Sequence, residues 1–304
     1  MLYPIPSDRE RRVLFAWLKQ ASSLPAWCRI STYHQVFLDE VRTAYEAEQR
    51  TPGMALTIPT DWYTRCLDSH DALNVAVARL QRGDRRCFTY LGARGHFNEG
   101  LLAVSWWQDM YAGWNYGRNG FDPAGSPHWP VIERAMHDCL AAVSDVSVVL
   151  QERFLDVPAP VYSLAALLAE PHSSLVRSLV ARALPAVPFA VPEVVVASGQ
   201  NVPYFGMWEP VYAARRSVTF VHSYSSDLDV SVDYELEGCM NYLHGDSPAP
   251  TLAFPDDTPR REGKPTLWRL VWRDERYGQA PMPVDERDYV FVRPVPGEML
   301  FRYG

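Results

Sequence analysis

The chain lacks any long hydrophobic run, and this absence excludes a conventional membrane-spanning segment. Its most apolar stretch, Leu175–Ser198, is interrupted by two arginines, three prolines and a glutamate, so it is too polar to cross a bilayer as a helix. The N-terminus also lacks a basic start followed by an apolar segment, so no signal peptide is predicted. We therefore expect a cytoplasmic protein that has no membrane partner.

The chain has few cysteines, and their spacing excludes a disulfide framework. There are five, an odd number, and no two of them form a CxxC pair. Such scattered cysteines are typical of reduced thiols buried in a core. They are Cys28, Cys66, Cys87, Cys139 and Cys239.

Short catalytic signatures are absent as well. The sequence contains no Walker A loop, GxSxG elbow, HExxH pair, deaminase signature or EF-hand loop. Glu133 and His137 share one helix face and His128 precedes them, but this pattern favours residues of an amphipathic helix over a metal site. We predict no catalytic residues, no metal and no cofactor.

Positive charge is scarce in the last part of the chain. The net charge is −7, and residues 191–304 carry 11 Lys and Arg against 17 Asp and Glu, whereas residues 1–190 carry 18 against 19. An acidic surface repels nucleic acid, so this distribution excludes a nucleic-acid partner there and favours a basic protein partner.

The first part of the chain has the apolar period of helices. Ser7 and Glu10 form a capping box before the first one. Further helices are predicted from Ser31 or Thr32 to Glu48, over Thr60–Gln81, over Phe97–Trp114, and from Ser126 onward.

After three prolines between residues 185 and 192 the apolar period changes from helical to alternating. The predicted strands are Glu193–Ala197, Ser217–His222, Asp227–Leu236, Thr266–Trp272 and Tyr289–Val292. In the fourth of these, Trp268, Leu270 and Trp272 share the face that we expect to be buried. The prediction is an α+β protein with an all-helical N-terminal domain (1–184), a proline-rich linker (185–192) and a small β-rich C-terminal domain (193–304).

The stretch 227–237 has the sharpest alternation in the chain. As one strand it has an apolar face and an acidic face, and the acidic positions are Asp227, Asp229, Asp233, Glu235 and Glu237. These carboxylates are interpreted as a solvated outer face that protects an edge strand, or as a docking surface for a basic partner. A site for a hard cation is disfavoured, because no glycine-containing loop folds back around them.

Two stretches near the C-terminus resemble a known pattern. The first is SGQNVPYFGMW, from Ser198 to Trp208, and the second is HGDSPAP, from His244 to Pro250, followed by WRLVWRDERY, from Trp268 to Tyr277. Together they resemble the pair of bacterial families known as immunity proteins seventy-one and seventy-two. The residues that carry the resemblance are Gly199, Pro203, Gly206, Trp208, Gly245, Asp246, Pro248, Trp268, Trp272, Arg273, Asp274, Arg276 and Tyr277.

The sequence departs from this pattern at Glu275, where a second Asp is expected. The family resemblance implies a helical N-terminal region and a protein that neutralises a cognate polymorphic toxin or type VI secretion effector. The toxin is then the partner, and its gene is expected to be adjacent. We expect the motif residues to be structural, with the acidic residues at 227–237 as the toxin contact.

Two other classes of function stay open at this point. The chain could be an enzyme, such as a hydrolase that reverses a toxin's modification, with its site between the two domains. It could also be a scaffold or adaptor that is unrelated to toxins. A binding protein is expected to act at one molecule per toxin, whereas an enzyme protects at lower ratios.

Overall fold

The computed structural model describes residues 5–51, 58–90, 95–115, 126–151, 157–160, 162–169, 174–189, 193–219, 229–253, 263–278, 282–289 and 291. Helices fill the N-terminal part of these residues, and an antiparallel sheet lies in the C-terminal half. The predicted α+β class is therefore confirmed.

The described elements follow the chain in this order. The helices are α1 (Asp8–Ala21), α2 (Leu24–Gln49), α3 (Thr60–Gln81), α4 (Phe97–Gly100), α5 (Leu102–Asn115), α6 (Trp129–Ser144), α7 (Leu164–Ala169) and α8 (Ser174–Val180). The strands are β1 (Val195–Ala197), β2 (Gly206–Thr219), β3 (Asp229–Leu236), β4 (Asn241–Leu243) and β5 (Leu267–Arg273). None of the helices described here is both long and apolar enough to cross a membrane.

The predicted helix signals at α1 and α3 are confirmed. The Ser7 amide donates to the Glu10 carboxylate at 2.8 Å, and the Glu10 amide donates to the Ser7 hydroxyl at 3.3 Å, which is the reciprocal geometry of a capping box. Helix α3 begins and ends at the predicted residues, Thr60 and Gln81.

Helix α2 begins earlier than predicted. Its N-cap is Ser23, whose hydroxyl accepts a hydrogen bond from the Ala26 amide, and its first residue is Leu24 rather than Ser31 or Thr32. The prediction of the first residue was wrong, and the helix has Pro25 in its first turn. In the first turn of a helix the missing N–H of proline would have no partner in any case.

The predicted helix over Phe97–Trp114 is interrupted at Leu101. Helices α4 and α5 lie on either side of this residue. At Gly100 a Cβ atom would lie within 3 Å of the backbone of Leu73 in α3, so α4 packs against α3 at a main-chain approach that only glycine allows. The amide of Ala103 donates to the Ser69 hydroxyl at 3.2 Å, so a side chain of α3 caps the beginning of α5.

Aromatic residues form the centre of the helical core. The Trp107 ring lies 5.6 Å from Phe37 and 5.3 Å from Trp62 in edge-to-face geometry, and it stacks on Trp129 at 6.2 Å. These four residues come from α5, α2, α3 and α6, respectively. Interlocking aromatic rings therefore join helices that are distant in sequence.

The strands lie in the order β1–β5–β2–β3, and β4 also pairs with β2. Strand β2 begins at Gly206, well before the predicted Ser217, because the motif that contains it was interpreted as turns. Strand β4 was not predicted, since three residues are too few for an alternating pattern. Residues 220–222 of the predicted second strand and 227–228 of the predicted third strand lie outside the described residues.

The predicted strand Tyr289–Val292 is not found. Tyr289 and Phe291 are described and belong to no strand, and the other two residues lie outside the described part. Tyr289 instead follows a 3-10 turn, where its amide donates a hydrogen bond to the carbonyl of Glu286 and its hydroxyl donates one to the Asp285 carboxylate. These local bonds compete with strand pairing.

The residues group into two compact units. The sheet unit contains Met1–Ala16, Phe154–Leu167 and Ala183–Asp274, and the helical unit contains Trp17–Arg153, Leu168–Arg182 and Glu275–Gly304. These units follow spatial contact rather than chain order, so they include segments from both sides of the predicted linker. The division at residues 185–192 stays a prediction about domains.

Strands β2 and β5 approach each other closely at Gly206. Its φ is +153°, and a Cβ atom there would lie 2.1 Å from the carbonyl oxygen of Trp272. The register then shifts between Met207 and Trp208, so Val271 of β5 becomes an extra residue in the pairing. The alternation predicted for β5 therefore holds at Trp268 and Leu270 and ends at the bulge, beyond which Trp272 is only half-buried.

A histidine pair is buried in the helical unit. Nδ1 of His34 in α2 lies 3.3 Å from Nδ1 of His70 in α3, and the two rings stack. Burial and, to a smaller extent, the neighbouring imidazole of His70 lower the pKa of His34 from 6.5 to about 4. Burial also lowers the pKa of His70, although Asp71 and Asp39 oppose this effect.

This pair predicts a loss of stability in acid. The unfolded chain binds protons on His34 below pH 6.5, whereas the folded protein does so only near pH 4. The free energy of unfolding should therefore fall as the pH decreases through this window, by about 3 kcal/mol for this residue. Urea unfolding at several pH values should show that the free energy of unfolding falls less steeply with decreasing pH in His34→Gln than in the unmodified protein. The half-buried His128 provides a control, His128→Gln, and an unchanged pH dependence in His34→Gln would contradict the prediction.

The approach at Gly206 predicts a difference between two glycine substitutions. Gly199 also has a positive φ, +86°, but a Cβ atom there would meet nothing within 4 Å. Gly199→Ala should cost about 1–2 kcal/mol for the backbone conformation alone. Gly206→Ala should cost at least about 3 kcal/mol, because the new methyl group also forces β5 away. Urea unfolding measures both changes, and equal losses would refute the close approach.

Candidate protein-interaction surface

The acidic positions of residues 227–237 do not form one uniform stripe. Asp227 lies outside the described residues, and Asp229 is the first residue of β3, where the register places it opposite Thr219. Asp233 and Glu235 are exposed, whereas the intervening Tyr234 is half-buried. The predicted alternation is therefore present from Asp233 to Leu236.

The acidic face of β3 includes contacts to β2. The Tyr212 hydroxyl donates a short hydrogen bond to the Glu235 carboxylate directly across the strands. This bond raises the pKa of Tyr212, because losing the proton would bring two negative charges together. The register also places Arg215 opposite Asp233. The face is thus acidic, with basic and aromatic residues at neighbouring positions.

Glu237 differs from the other acidic positions. It follows the end of β3, and its side chain is only 10% exposed. Its carboxylate forms an ion pair with Lys264 and accepts a hydrogen bond from the Thr266 hydroxyl at 2.7 Å. These contacts hold Glu237 within the sheet unit, so its carboxylate is already in use.

Two tryptophans of the motif lie in the core of the sheet unit. Trp208 and Trp268 are fully buried and lie in one hydrophobic cluster. Their indole nitrogens donate to the carbonyls of Tyr204 and Pro250, respectively. Both rings are therefore fixed at their apolar and polar ends.

Main-chain bonds hold the turns beside this cluster. The Gly199 amide donates to Ala249 at 2.8 Å, and the Asp246 amide donates to Val202 at 2.9 Å. Asp246 has a φ of +63°, a conformation that aspartate tolerates better than most residues.

The neighbouring Gly245 packs against an aromatic ring, because a Cβ atom at this position would collide with the ring of Phe205. Pro203 and Pro248 lie in the same turn region, where Pro248 bridges Asn201.

The end of β5 is held by aromatic and polar contacts. The Trp272 ring meets Phe15 edge-to-face at 6.1 Å. The guanidinium of Arg273, although exposed, lies 4.1 Å from the centre of the Tyr204 ring. Asp274 is buried and accepts a hydrogen bond from the Tyr242 hydroxyl at 3.0 Å.

Arg276 and Tyr277 hold the corner between α1 and α2 in the helical unit. The Arg276 guanidinium donates to the carbonyls of Lys19 and Ser22 and pairs with the buried Glu286 at 2.8 Å. The amide of Leu24, the first residue of α2, donates to the Tyr277 hydroxyl at 2.6 Å. These bonds satisfy main-chain groups at helix ends that lack intrahelical partners.

A buried ionic group in the sheet unit was missed by the sequence analysis. Glu209 is 2% exposed and pairs with Arg11 at 2.9 Å and with Arg269 at 2.6 Å. The positions of Glu209 and Arg269 in their strands carried no pairing signal, because the register between β2 and β5 cannot be read from the sequence. His34 did carry a signal, since it lies at helical spacing from the buried Ile30, Phe37 and Val41.

The remaining candidate groups are the potential metal ligands and the cysteines. The described residues contain no group of three potential ligands that could hold a metal ion. All five cysteines are free, and all except Cys28 are buried. Burial raises the pKa of Cys66, Cys87 and Cys139 to about 12, which disfavours the reactive thiolate at each position.

Comparison with known proteins gives one positive result. Residues 5–160 match the family described as Immunity protein 71, and this segment covers just over half of the chain. The motif residues at 199–277, which suggested the resemblance, lie outside the matched segment. No curated protein and no solved structure matches the chain. The family match shows that the chain belongs to the immunity protein 71 family.

Proposed function

We propose that this protein binds the toxin domain of a cognate secreted effector and inhibits it by blocking its active site or its access to substrate. The observation that carries the proposal is the family match over residues 5–160. An immunity protein of this kind acts by stoichiometric contact, so it needs a stable interface and no cofactor. The proposed partner is encoded by the gene adjacent to this one.

The proposed contact is the acidic face of β3. Asp233 and Glu235 are exposed there, and Asp229 lies at a position of the same parity in the strand. The surface lies outside residues 5–160, the segment of this chain that matches the family. A contact that selects one toxin among many is expected at residues that carry no family motif, and the acidic residues of β3 are not among the motif residues. Glu237 supports the sheet in this proposal rather than contacting the toxin, because Lys264 and Thr266 engage its carboxylate.

The charge of this face indicates the chemistry of the toxin surface. Clustered carboxylates attract a basic surface during diffusion and oppose binding of acidic proteins. A toxin that acts on nucleic acid has such a basic surface around its substrate site. We therefore propose that the acidic face of β3 covers a basic substrate site of the toxin.

The proposal is tested by co-purification with the toxin domain encoded by the adjacent gene. We expect an equimolar complex at low salt, and we expect higher salt to weaken it because salt screens exposed charges. The absence of any complex at low salt, or a neighbouring gene that encodes no toxin, would refute the proposed function.

Removing two charges from β3 should weaken this complex specifically. We expect Asp233→Asn with Glu235→Gln to raise the dissociation constant about tenfold or more, mainly through slower association. The matched control is Asp68→Asn with Asp109→Asn, which removes two exposed carboxylates from α3 and α5. Binding kinetics at two salt concentrations measure both variants. Equal affinities for the two double variants would exclude the acidic face from the interface.

A further inference from the structure

Strand β2 extends beyond two of the strands that pair with it. Strand β4 pairs with Gly206–Trp208, and β5 pairs with residues up to Val211. From Tyr212 to Thr219, the only described strand beside β2 is β3. These segments of β2 and β3 therefore form a two-stranded ribbon within the described part of the chain, and we call them the ribbon.

A two-stranded ribbon is marginal by itself. Two strands in water are rarely stable without a third strand or a packed face. Each edge of the ribbon also presents main-chain donors and acceptors that a further strand can bond. The ribbon is therefore suited to gaining a strand when a partner binds.

The outward groups of β3 can be assigned from one hydrogen bond. The Glu237 amide donates to the Pro210 carbonyl at 2.9 Å, so Glu237 points its main-chain groups toward β2. The N–H and C=O groups of successive residues in a strand point to opposite sides of it. Residues of the same parity as Glu237 therefore point these groups toward β2, and Val230, Val232 and Tyr234 point theirs away from β2. The described residues place no other strand against this row.

The two edges of the ribbon are not equivalent. The β2 edge has a register shift between Ala213 and Arg215, and such a bulge disturbs the regular spacing that a further strand needs. Strand β3 is eight residues long, and its sequence DVSVDYEL contains no lysine, proline or glycine. It thus lacks several devices that protect edge strands from pairing. The outer edge of β3 is the better acceptor.

The charges of β3 select what can pair there. A second copy of β3 would bring carboxylates such as Asp233 and Glu235 close to their equivalents, and like charges across strands are destabilising. An extended segment with Lys or Arg at alternate positions would instead meet these carboxylates with opposite charge. Charge thus favours a basic strand over a second copy of this chain.

We propose that the outer edge of β3 accepts an extended basic segment of the toxin domain as an additional strand of the sheet. This inference rests on the proposed function and adds the mode of binding to it. Main-chain bonds supply affinity in this mode, and the carboxylates select the basic segment.

Amide hydrogen exchange measured by NMR tests this mode directly, with the toxin domain encoded by the adjacent gene as the probe. In the free protein, the amides of Val230, Val232 and Tyr234 should exchange faster than those of Ser231, Asp233 and Glu235, which face β2. In the complex, the three outward amides should slow by about 100-fold or more. A contact through side chains alone would leave the alternating pattern unchanged, and that result would overturn the inference.

A substitution pair provides the second test. Val232→Pro removes an outward N–H and leaves the bonds to β2 in place, whereas Val232→Thr keeps the N–H. Val232→Pro should raise the dissociation constant about tenfold, and Val232→Thr should have little effect. Circular dichroism checks folding, and Tyr234→Pro replaces Val232→Pro if that variant is unfolded.

The outcomes separate the two proposals. If the unmodified protein forms no complex with the toxin domain, the proposed function fails. If the complex forms, while the folded proline variant binds normally and the outward amides still exchange fast, only the strand addition is overturned.

Discussion

The sheet depends on one close main-chain approach, where Gly206 of β2 lies against the carbonyl of Trp272 in β5. The approach precedes a register shift that places Trp208 opposite Leu270 and Glu209 opposite Arg269. On one face the indoles are buried, and on the other the buried carboxylate meets its guanidinium. A side chain at position 206 would disturb both faces together, because one register sets both.

The same register determines where the ribbon begins. Pairing with β5 ends at Val211, and β2 continues to Thr219 beside β3 alone among the described strands. Strand β2 is thus paired on both sides up to Val211, and within the described residues it is paired only with β3 from Tyr212 to Thr219. It provides the buried Trp208 and Glu209 near its beginning and one strand of the ribbon at its end, whereas the acidic residues of the ribbon come from β3.

Much of the architecture was predictable because its determinants are local. The capping box, the bounds of α3 and the alternation from Asp233 to Leu236 depend on neighbouring residues, and the structure has them all. The break between α4 and α5 and the extent of β2 were not predictable, since they depend on contacts with distant residues such as Leu73 and Trp272. The motif residues that suggested the family form turns, core and the α1–α2 corner. The family match itself falls on residues 5–160, which the motif did not include. Which residues contact the toxin stays a prediction, because an alternating pattern indicates which face of a strand is exposed and not what binds to it.

The most direct test of the account is the ratio at which this protein protects a cell. The toxin domain and this chain would be expressed together at graded levels, and quantitative mass spectrometry would give their molar ratio at the threshold of growth. A stoichiometric inhibitor predicts a threshold near one molecule of this protein per molecule of toxin. Full protection at a small fraction of that ratio would contradict inhibition by binding and would indicate an enzyme that reverses the damage.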